Sequence, residues 1–289
     1  MDGADLIERL PTHRVTLDNG LTVLVREDAS APVVAIVTYV KAGYFHESDN
    51  QVGISHVLEH MYFKGTERRG PGDIARETKA AGGYLNAGTI YDHTSYYTVL
   101  PADALEQGLD IQADALQNPK VDADELDREL QVIIQEVKRK LDDPSALASE
   151  SLYALLFDVH RMRRWRMGTE DQLRGYTRDD VLAFYRRHYR PDNIVLCVVG
   201  DVRAADVLRL VDAHYGGMPS RPAGTEPFPQ EPDRAPLPRL RAMTGDIGQM
   251  RLELGWRTPG TLHHETPALD LLATTLGQGR GSRCFRQIR

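Results

Sequence analysis

An α+β fold is the class this sequence predicts: a two-layer arrangement in which a mixed or antiparallel sheet packs against helices. Three observations predict it. Runs of alternating or continuously β-branched residues recur between turn signals, which is the pattern of strands. Between them lie segments whose apolar residues recur at i, i+3, i+4 and i+7, the stripe of an amphipathic helix. A proline-rich stretch at 216–238 then divides residues 1–215, a complete domain, from residues 239–289, where the order hairpin, strand, helix faintly repeats.

The elements follow in order. His13–Thr16 and Leu21–Arg26 flank Asp18-Asn19-Gly20 and predict a tight hairpin, with Asn-Gly supplying the positive-φ turn. Pro32–Lys41 is a mostly apolar strand, placed centrally. The loop 45–52 feeds a helix over 53–63 that ends at Lys64-Gly65-Thr66. Asp73 caps a short helix that stops at Gly82-Gly83, and strands follow at 84–89 and 94–100. A helix over 102–117 stops at Asn118-Pro119, because proline removes a donor and clashes with the preceding turn. Helices are expected over 125–141, over 145–157 with Ser145 as N-cap, and over 177–189 with Thr177 as N-cap. Ile194–Val202 is a buried strand and its exit, and 203–215 a helix. Pro219, Pro222, Pro227, Pro229, Pro232, Pro236 and Pro238 make 216–238 an extended, fairly stiff linker. Beyond it, 239–243 and 249–256 are expected as strands and 266–277 as a helix.

Composition bounds the function. The chain has 289 residues, 41% hydrophobic and 27% charged, an ordinary globular profile with enough length for a sizeable core. A net charge of −7 argues against nucleic acid as a partner. Its one basic cluster, His160-Arg161-Met162-Arg163-Arg164-Trp165-Arg166, reads as a solvated loop, or as a site for acidic peptide residues. Cys197 lies in an apolar run and reads as a buried thiol; it and Cys284 are too far apart in sequence to suggest a disulfide scaffold. The apolar stretches are strand-sized, so no membrane span is expected. The acidic, polar start lacks a basic n-region, which favours a cytoplasmic location, although a processed periplasmic form would look the same.

The chemistry concentrates in Gly53-Ile54-Ser55-His56-Val57-Leu58-Glu59-His60-Met61-Tyr62-Phe63. Ile54, Val57, Leu58, Met61 and Tyr62 form one apolar stripe, and His56, Glu59 and His60 lie on the opposite face. Histidines four apart stand one helical turn above each other, so their imidazoles can converge on one ion. Zinc takes neutral imidazole and carboxylate ligands, and a catalytic site uses three protein ligands and leaves one position open. Glu59, between the histidines, is placed to take a proton from a water in that position. The order His-x-x-Glu-His is the inverzincin motif. A third ligand is available on the second amphipathic helix, 125–141. There Glu129 and Glu136, seven apart, share a face, and spacing alone does not choose between them. A purely structural zinc site is disfavoured, since such sites take four protein ligands, usually with cysteine, and neither cysteine is near the motif.

His56-Val57-Leu58-Glu59-His60 followed by Met61-Tyr62-Phe63-Lys64-Gly65-Thr66 resembles the active-site helix of the pitrilysin/insulinase family of zinc metallopeptidases, which includes the mitochondrial processing peptidases and bacterial relatives. The resemblance implies that His56, His60 and Glu136 bind Zn²⁺, that Glu59 is the general base and that Glu129 supports the site. It also implies that Asn86, Ala87 and Thr89 contact substrate on a sheet edge, where an extended peptide adds a strand. Family members are two similar halves, so the chain reads as a first half plus the start of a second. By the same resemblance the second half helps hold the substrate, and a homodimeric or heterodimeric partner would supply it if the chain does not. The implied function is a zinc endopeptidase acting on extended oligopeptides or unfolded segments; the alternative is a non-catalytic peptide-binding or assembly subunit of a two-chain peptidase. The exposed apolar face of a partial second domain predicts association or poor solubility.

Overall fold

The computed structural model describes residues 12–220, 229–232 and 237–288. One six-stranded open mixed sheet runs in the order β1-β2-β6-β3-β5-β4. The strands are β1 (Thr12–Thr16), β2 (Thr22–Glu27), β3 (Val33–Val40), β4 (Tyr84–Thr89), β5 (Thr94–Pro101) and β6 (Ile194–Gly200). β2 and β6 are parallel and the other pairs antiparallel. β3 therefore sits between β6 and β5, the central place its apolar run predicts, and among the described residues β4 lies at an edge, paired only with β5.

Among the described residues there are ten α-helices: α1 (Ile54–Met61), α2 (Asp73–Ala80), α3 (Leu105–Gln117), α4 (Ala123–Leu141), α5 (Pro144–Leu156), α6 (Glu170–Gly175), α7 (Arg178–His188), α8 (Ala204–Tyr215), α9 (Thr266–Gly277) and α10 (Arg283–Ile288). Strand residues alternate in burial, so the sheet has one covered face. Val34, Ile36 and Val40 of β3, Leu196 and Val198 of β6 and Tyr96 and Leu100 of β5 join the stripe Ile54, Val57, Leu58 and Met61 of α1 in one buried core. Each such side chain contributes roughly 1.5–3 kcal/mol on burial, so the stripe fixes the rotation of α1 and with it the direction of His56, Glu59 and His60. Tyr62 continues that stripe in a 3₁₀ turn, Tyr62–Lys64, stacking on Tyr96 with ring centroids 4.0 Å apart.

Four details differ from the sequence reading. The hairpin loop is longer than a two-residue Asn-Gly turn. Gly20 N–H donates to the Leu17 carbonyl at 2.8 Å and only Gly20 has positive φ, while the Asn19 carboxamide tethers the loop to the Tyr215 carbonyl at the end of α8, 2.8 Å away. Gly72, not Asp73, is the N-cap of α2; the Asp73 carboxylate instead accepts from Gly70 N–H at 2.9 Å. Asp143, not Ser145, caps α5, because Pro144 occupies the first helical position. Residues 239–243 and 249–256 are not strands. They run beside α5, held by Ser149 to Glu253 (2.9 Å), Arg241 to Ser151 (3.2 Å) and Arg239 to the Leu155 carbonyl (3.2 Å), and find no strand to pair with there. Of the linker, residues 221–228 and 233–236 lie outside the described residues, and the rest carries no helix or strand. α9 spans the expected residues, but neither it nor α10 buries an apolar side chain. Leu240 is 90% exposed and Trp256 75%, the apolar exposure expected of this part of the chain.

α1 starts where two backbones cross. Gly53 precedes it with φ +92°, and a Cβ there would lie 2.4 Å from the Met167 carbonyl oxygen. Opposite, Gly168 has φ +76° and faces the Val52 carbonyl at the same distance. Gly53→Ala pays both for left-handed backbone and for displacing Met167, so it is expected to lower unfolding stability by about 2–5 kcal/mol. Urea denaturation monitored by circular dichroism measures this; a loss below about 0.5 kcal/mol would contradict the crossing.

Candidate metal centre

The residue before α1 offers no capping side chain, and a carboxylate from the preceding loop does that work. Glu47 is fully buried and accepts from Gly53 N–H at 2.9 Å and Ser55 N–H at 3.0 Å, satisfying donors that an unpaired helix start would leave orphaned. The loop that carries it is held by the basic cluster. The Arg164 guanidinium donates to the carbonyls of Tyr44 (3.0 Å) and Glu47 (3.1 Å) and to Asp49 Oδ1 (3.1 Å), and Arg161 donates to the Phe45 carbonyl. Arg166 pairs with Glu150 at 3.0 Å. The cluster is thus largely a brace behind the helix rather than the solvated loop its charge suggests.

On α1 the two imidazoles lie one turn apart, ring centroids 4.7 Å apart and nearly perpendicular. α4 crosses beside them. Its start is fixed by Asp122, whose side chain accepts from Asp124 N–H and Glu125 N–H, and its stripe, Leu126, Leu130, Ile133, Ile134 and Val137, is buried. That register sets two glutamates against α1. Glu136 Oε2 lies 3.8 Å from His56 Nε2, and one ligand atom from each of His56, His60 and Glu136 lies within 4.8 Å of the others. Among the described residues this is the one group of its kind. Glu129 Oε2 is 2.9 Å from His60 Nδ1, and Lys64 pairs with its other oxygen. A carboxylate on Nδ1 favours the tautomer with the proton there, which leaves the Nε2 lone pair free.

The electrostatics suit a cation. Burial, with help from His60 and Lys140, lowers the His56 pKa to about 3, so its ring is neutral at physiological pH. Burial alone would raise the Glu129 carboxyl, but the bonds from Lys64 and His60 outweigh it and hold it below the usual range. Burial raises the Glu59 carboxyl, opposed by a 2.6 Å hydrogen bond from the Thr89 hydroxyl to Oε2. Two imidazoles and a carboxylate, with no fourth protein ligand among the described residues, match the donor set of a catalytic zinc ion; the residues present fit that metal. His56 Nδ1 is buried with no hydrogen-bond partner among the described residues, so packing alone orients that ring.

Of the three β4 residues singled out in the sequence, Thr89 is in direct contact with Glu59. Asn86 is exposed, and its side-chain oxygen accepts from Ala87 N–H at 2.9 Å; Ala87 packs on the core. The free edge of β4 lies beside α1. Sequence reasoning missed Glu47, Lys64 and Tyr44. Tyr44 is close enough to Glu59 and Glu136 for their charge to add to burial in raising its phenol. Lys64 carried a legible signal, lying four residues beyond His60. Glu47 carried none, because its role exists only once the loop folds back.

Glu47 also gives the fold a pH dependence. Burial, opposed by the two backbone bonds, raises its pKa from 4.5 to about 7. Between those values the folded chain holds a proton that the unfolded chain releases. This stabilisation is therefore complete below about pH 4.5 and lost as pH rises through 7. Glu47→Gln, which cannot ionise, removes that slope. Urea titrations from pH 4 to 8 should show wild type losing about 3 kcal/mol relative to the variant; parallel profiles would contradict the assignment.

Comparison with known proteins shows which family the chain resembles. A family model described as Insulinase (Peptidase family M16) matches residues 22–170, and one described as Peptidase M16 inactive domain matches residues 175–289. An uncharacterized zinc protease of Mycobacterium tuberculosis is 32% identical over 289 residues, 99% of this chain and 66% of its own length. A probable mitochondrial-processing peptidase subunit beta of Arabidopsis thaliana is 29% identical over 267 residues, 92% of this chain and 50% of its own length. Among solved structures, a protease from Helicobacter pylori superposes with a TM-score of 0.83 at 24% identity, covering 96% of this chain and 68% of that one. The periplasmic protease PqqL from Escherichia coli does so with a TM-score of 0.70 at 28% identity, covering 77% of this chain and 25% of that one. The chain thus spans just under two thirds of the length of the mycobacterial relative.

Proposed function

Because this chain belongs to the insulinase family of peptidases, family M16, we propose that it is a zinc-dependent endopeptidase that cleaves extended oligopeptides or unfolded segments. The observation that carries this reading is the convergence of His56, His60 and Glu136 beside a carboxylate, Glu59, that is not itself in the ligand group. Zinc homologues support the metal, and the donor set supports these three residues as its ligands.

Zinc bound by these three residues would supply Lewis acidity, making water easier to deprotonate and a peptide carbonyl easier to attack. The chain's own groups do the rest. Glu59 accepts the proton of the attacking water and returns it to the leaving amine. Thr89 holds Oε2 of that carboxylate and leaves Oε1 to receive the proton. Glu129 keeps the His60 ring turned toward the ion. The free edge of β4, with Asn86, Ala87 and Thr89, holds a peptide extended by backbone pairing, which is tolerant of side-chain sequence. Residues 1–215 form the catalytic domain in this reading, 216–238 a linker and 239–289 the start of a second, similar domain. A second half, in the same polypeptide or in a partner subunit, closes over the peptide and excludes water.

The test is cleavage of an internally quenched peptide by the longest available form of the protein. Hydrolysis should stop on chelation and return with Zn²⁺. Glu59→Gln should keep one zinc per chain and lose about 10²–10⁴-fold in turnover, whereas His60→Ala should lose the metal by elemental analysis. Turnover by Glu59→Gln at the wild-type rate would refute the role of Glu59.

A further inference from the structure

Two carboxylates on α4 face the same pair of imidazoles, and helical spacing does not decide which of them meets a metal. Glu129 and Glu136 lie two turns apart on one side of α4, each close to one histidine: Glu136 to His56 at 3.8 Å and Glu129 to His60 at 2.9 Å. What distinguishes them is a cation. Lys64 ends the 3₁₀ turn that prolongs α1, four residues beyond His60, and its ammonium pairs with Glu129 Oε1. With Oε2 taken by His60 Nδ1, both oxygens of Glu129 are engaged. Among the described residues Glu136 has no lysine or arginine partner.

We propose that Lys64 is the positioning residue that assigns the two glutamates: by holding Glu129 it keeps that carboxylate on His60 Nδ1 and off the metal, leaving Glu136 as the ligand. The inference rests on the zinc reading of the site. The Glu129 side chain is 10% exposed and that of Lys64 27%, and a carboxylate so far from water is costly unless cations or donors surround it. With Lys64 present, that need is met at a fixed position on the far side of His60. Without it, one imidazole N–H is the only partner left, and a metal bound by the histidines would offer Glu129 a competing positive charge. Glu129 then competes with Glu136 for the ion. Lysine suits this task because its compact ammonium takes a single carboxylate oxygen and leaves the other for the imidazole.

The assignment is tested by zinc affinity rather than turnover, using competition with a chromophoric chelator on the 289-residue chain. Four proteins are compared: wild type, Lys64→Met, Glu136→Gln and the double variant, each checked for folding by circular dichroism. With Lys64 in place, Glu136→Gln should weaken zinc binding at least about 100-fold. With Lys64 replaced, the same substitution should cost less than about 10-fold, because the released Glu129 takes over. Should Lys64→Met fail to fold, Lys64→Gln completes the cycle. Equal penalties in both backgrounds would overturn the assignment, since a residue that merely supports the fold has no reason to change the cost of losing Glu136, which it does not touch. A wild-type chain that takes up no zinc would instead overturn the metal reading itself, so the two failures are distinct.

Discussion

The packing of α1 against α4 is the contact on which the proposed chemistry of this molecule depends. Each helix brings an incomplete set of donors: two imidazoles on one, a carboxylate on the other. Neither helix chooses the other for those polar groups. Their apolar stripes do, since Ile54, Val57, Leu58 and Met61 on α1 and Leu130, Ile133, Ile134 and Val137 on α4 share one core. The polar residues of the site stand at the border of that core, with His56 and Glu129 buried, where charges interact more strongly than in water and where an unpaired one is expensive. The hydrophobic core thus sets the geometry, and the geometry makes the donors useful.

Two layers of polar contacts refine that arrangement. Behind α1, a buried acid and a brace of arginines fix where the helix begins: Arg164 holds the loop, the loop carries Glu47, and Glu47 holds the first turn. Around the donors, each acid has a separate restraint. Thr89 holds Glu59, and Lys64 and His60 hold Glu129. Three glutamates close to one site would repel each other or compete for one cation. Here Glu59 and Glu129 each have a partner of their own while Glu136 stands near His56 at 3.8 Å, a division that would suit the proposed roles of base, support and ligand. The site is therefore a problem of allocation as much as of convergence.

Much of this was legible in the sequence because it rests on local rules. The 3.6-residue stripe, the His-x-x-Glu-His spacing and the proline stop after 117 each depend on a few neighbouring residues. So do the strands at 84–89 and 94–100, and all appear where expected. Spacing does not separate Glu129 from Glu136, because both satisfy it; the lysine that pairs with Glu129 lies outside α4, at the end of the turn that follows α1. Charge runs are usually solvated, yet the guanidiniums of Arg161 and Arg164 find carbonyls more than a hundred residues earlier in the chain. The strands expected at 239–243 and 249–256 show the opposite failure. Their composition is strand-like, but a strand needs a neighbour for its backbone, and these residues lie along α5 instead. Local pattern gives the propensity of a segment; the partner decides the outcome.

The most direct measurement of the central claim is X-ray absorption at the zinc edge on the metal-loaded chain. One zinc per chain is expected, with a first shell of nitrogen and oxygen, the outer-shell scattering of two imidazoles, and no sulfur. That spectrum should change when Glu136 is replaced by glutamine. A sulfur-containing shell, a single imidazole, or a spectrum indifferent to Glu136 would contradict the convergence of the two helices on one ion.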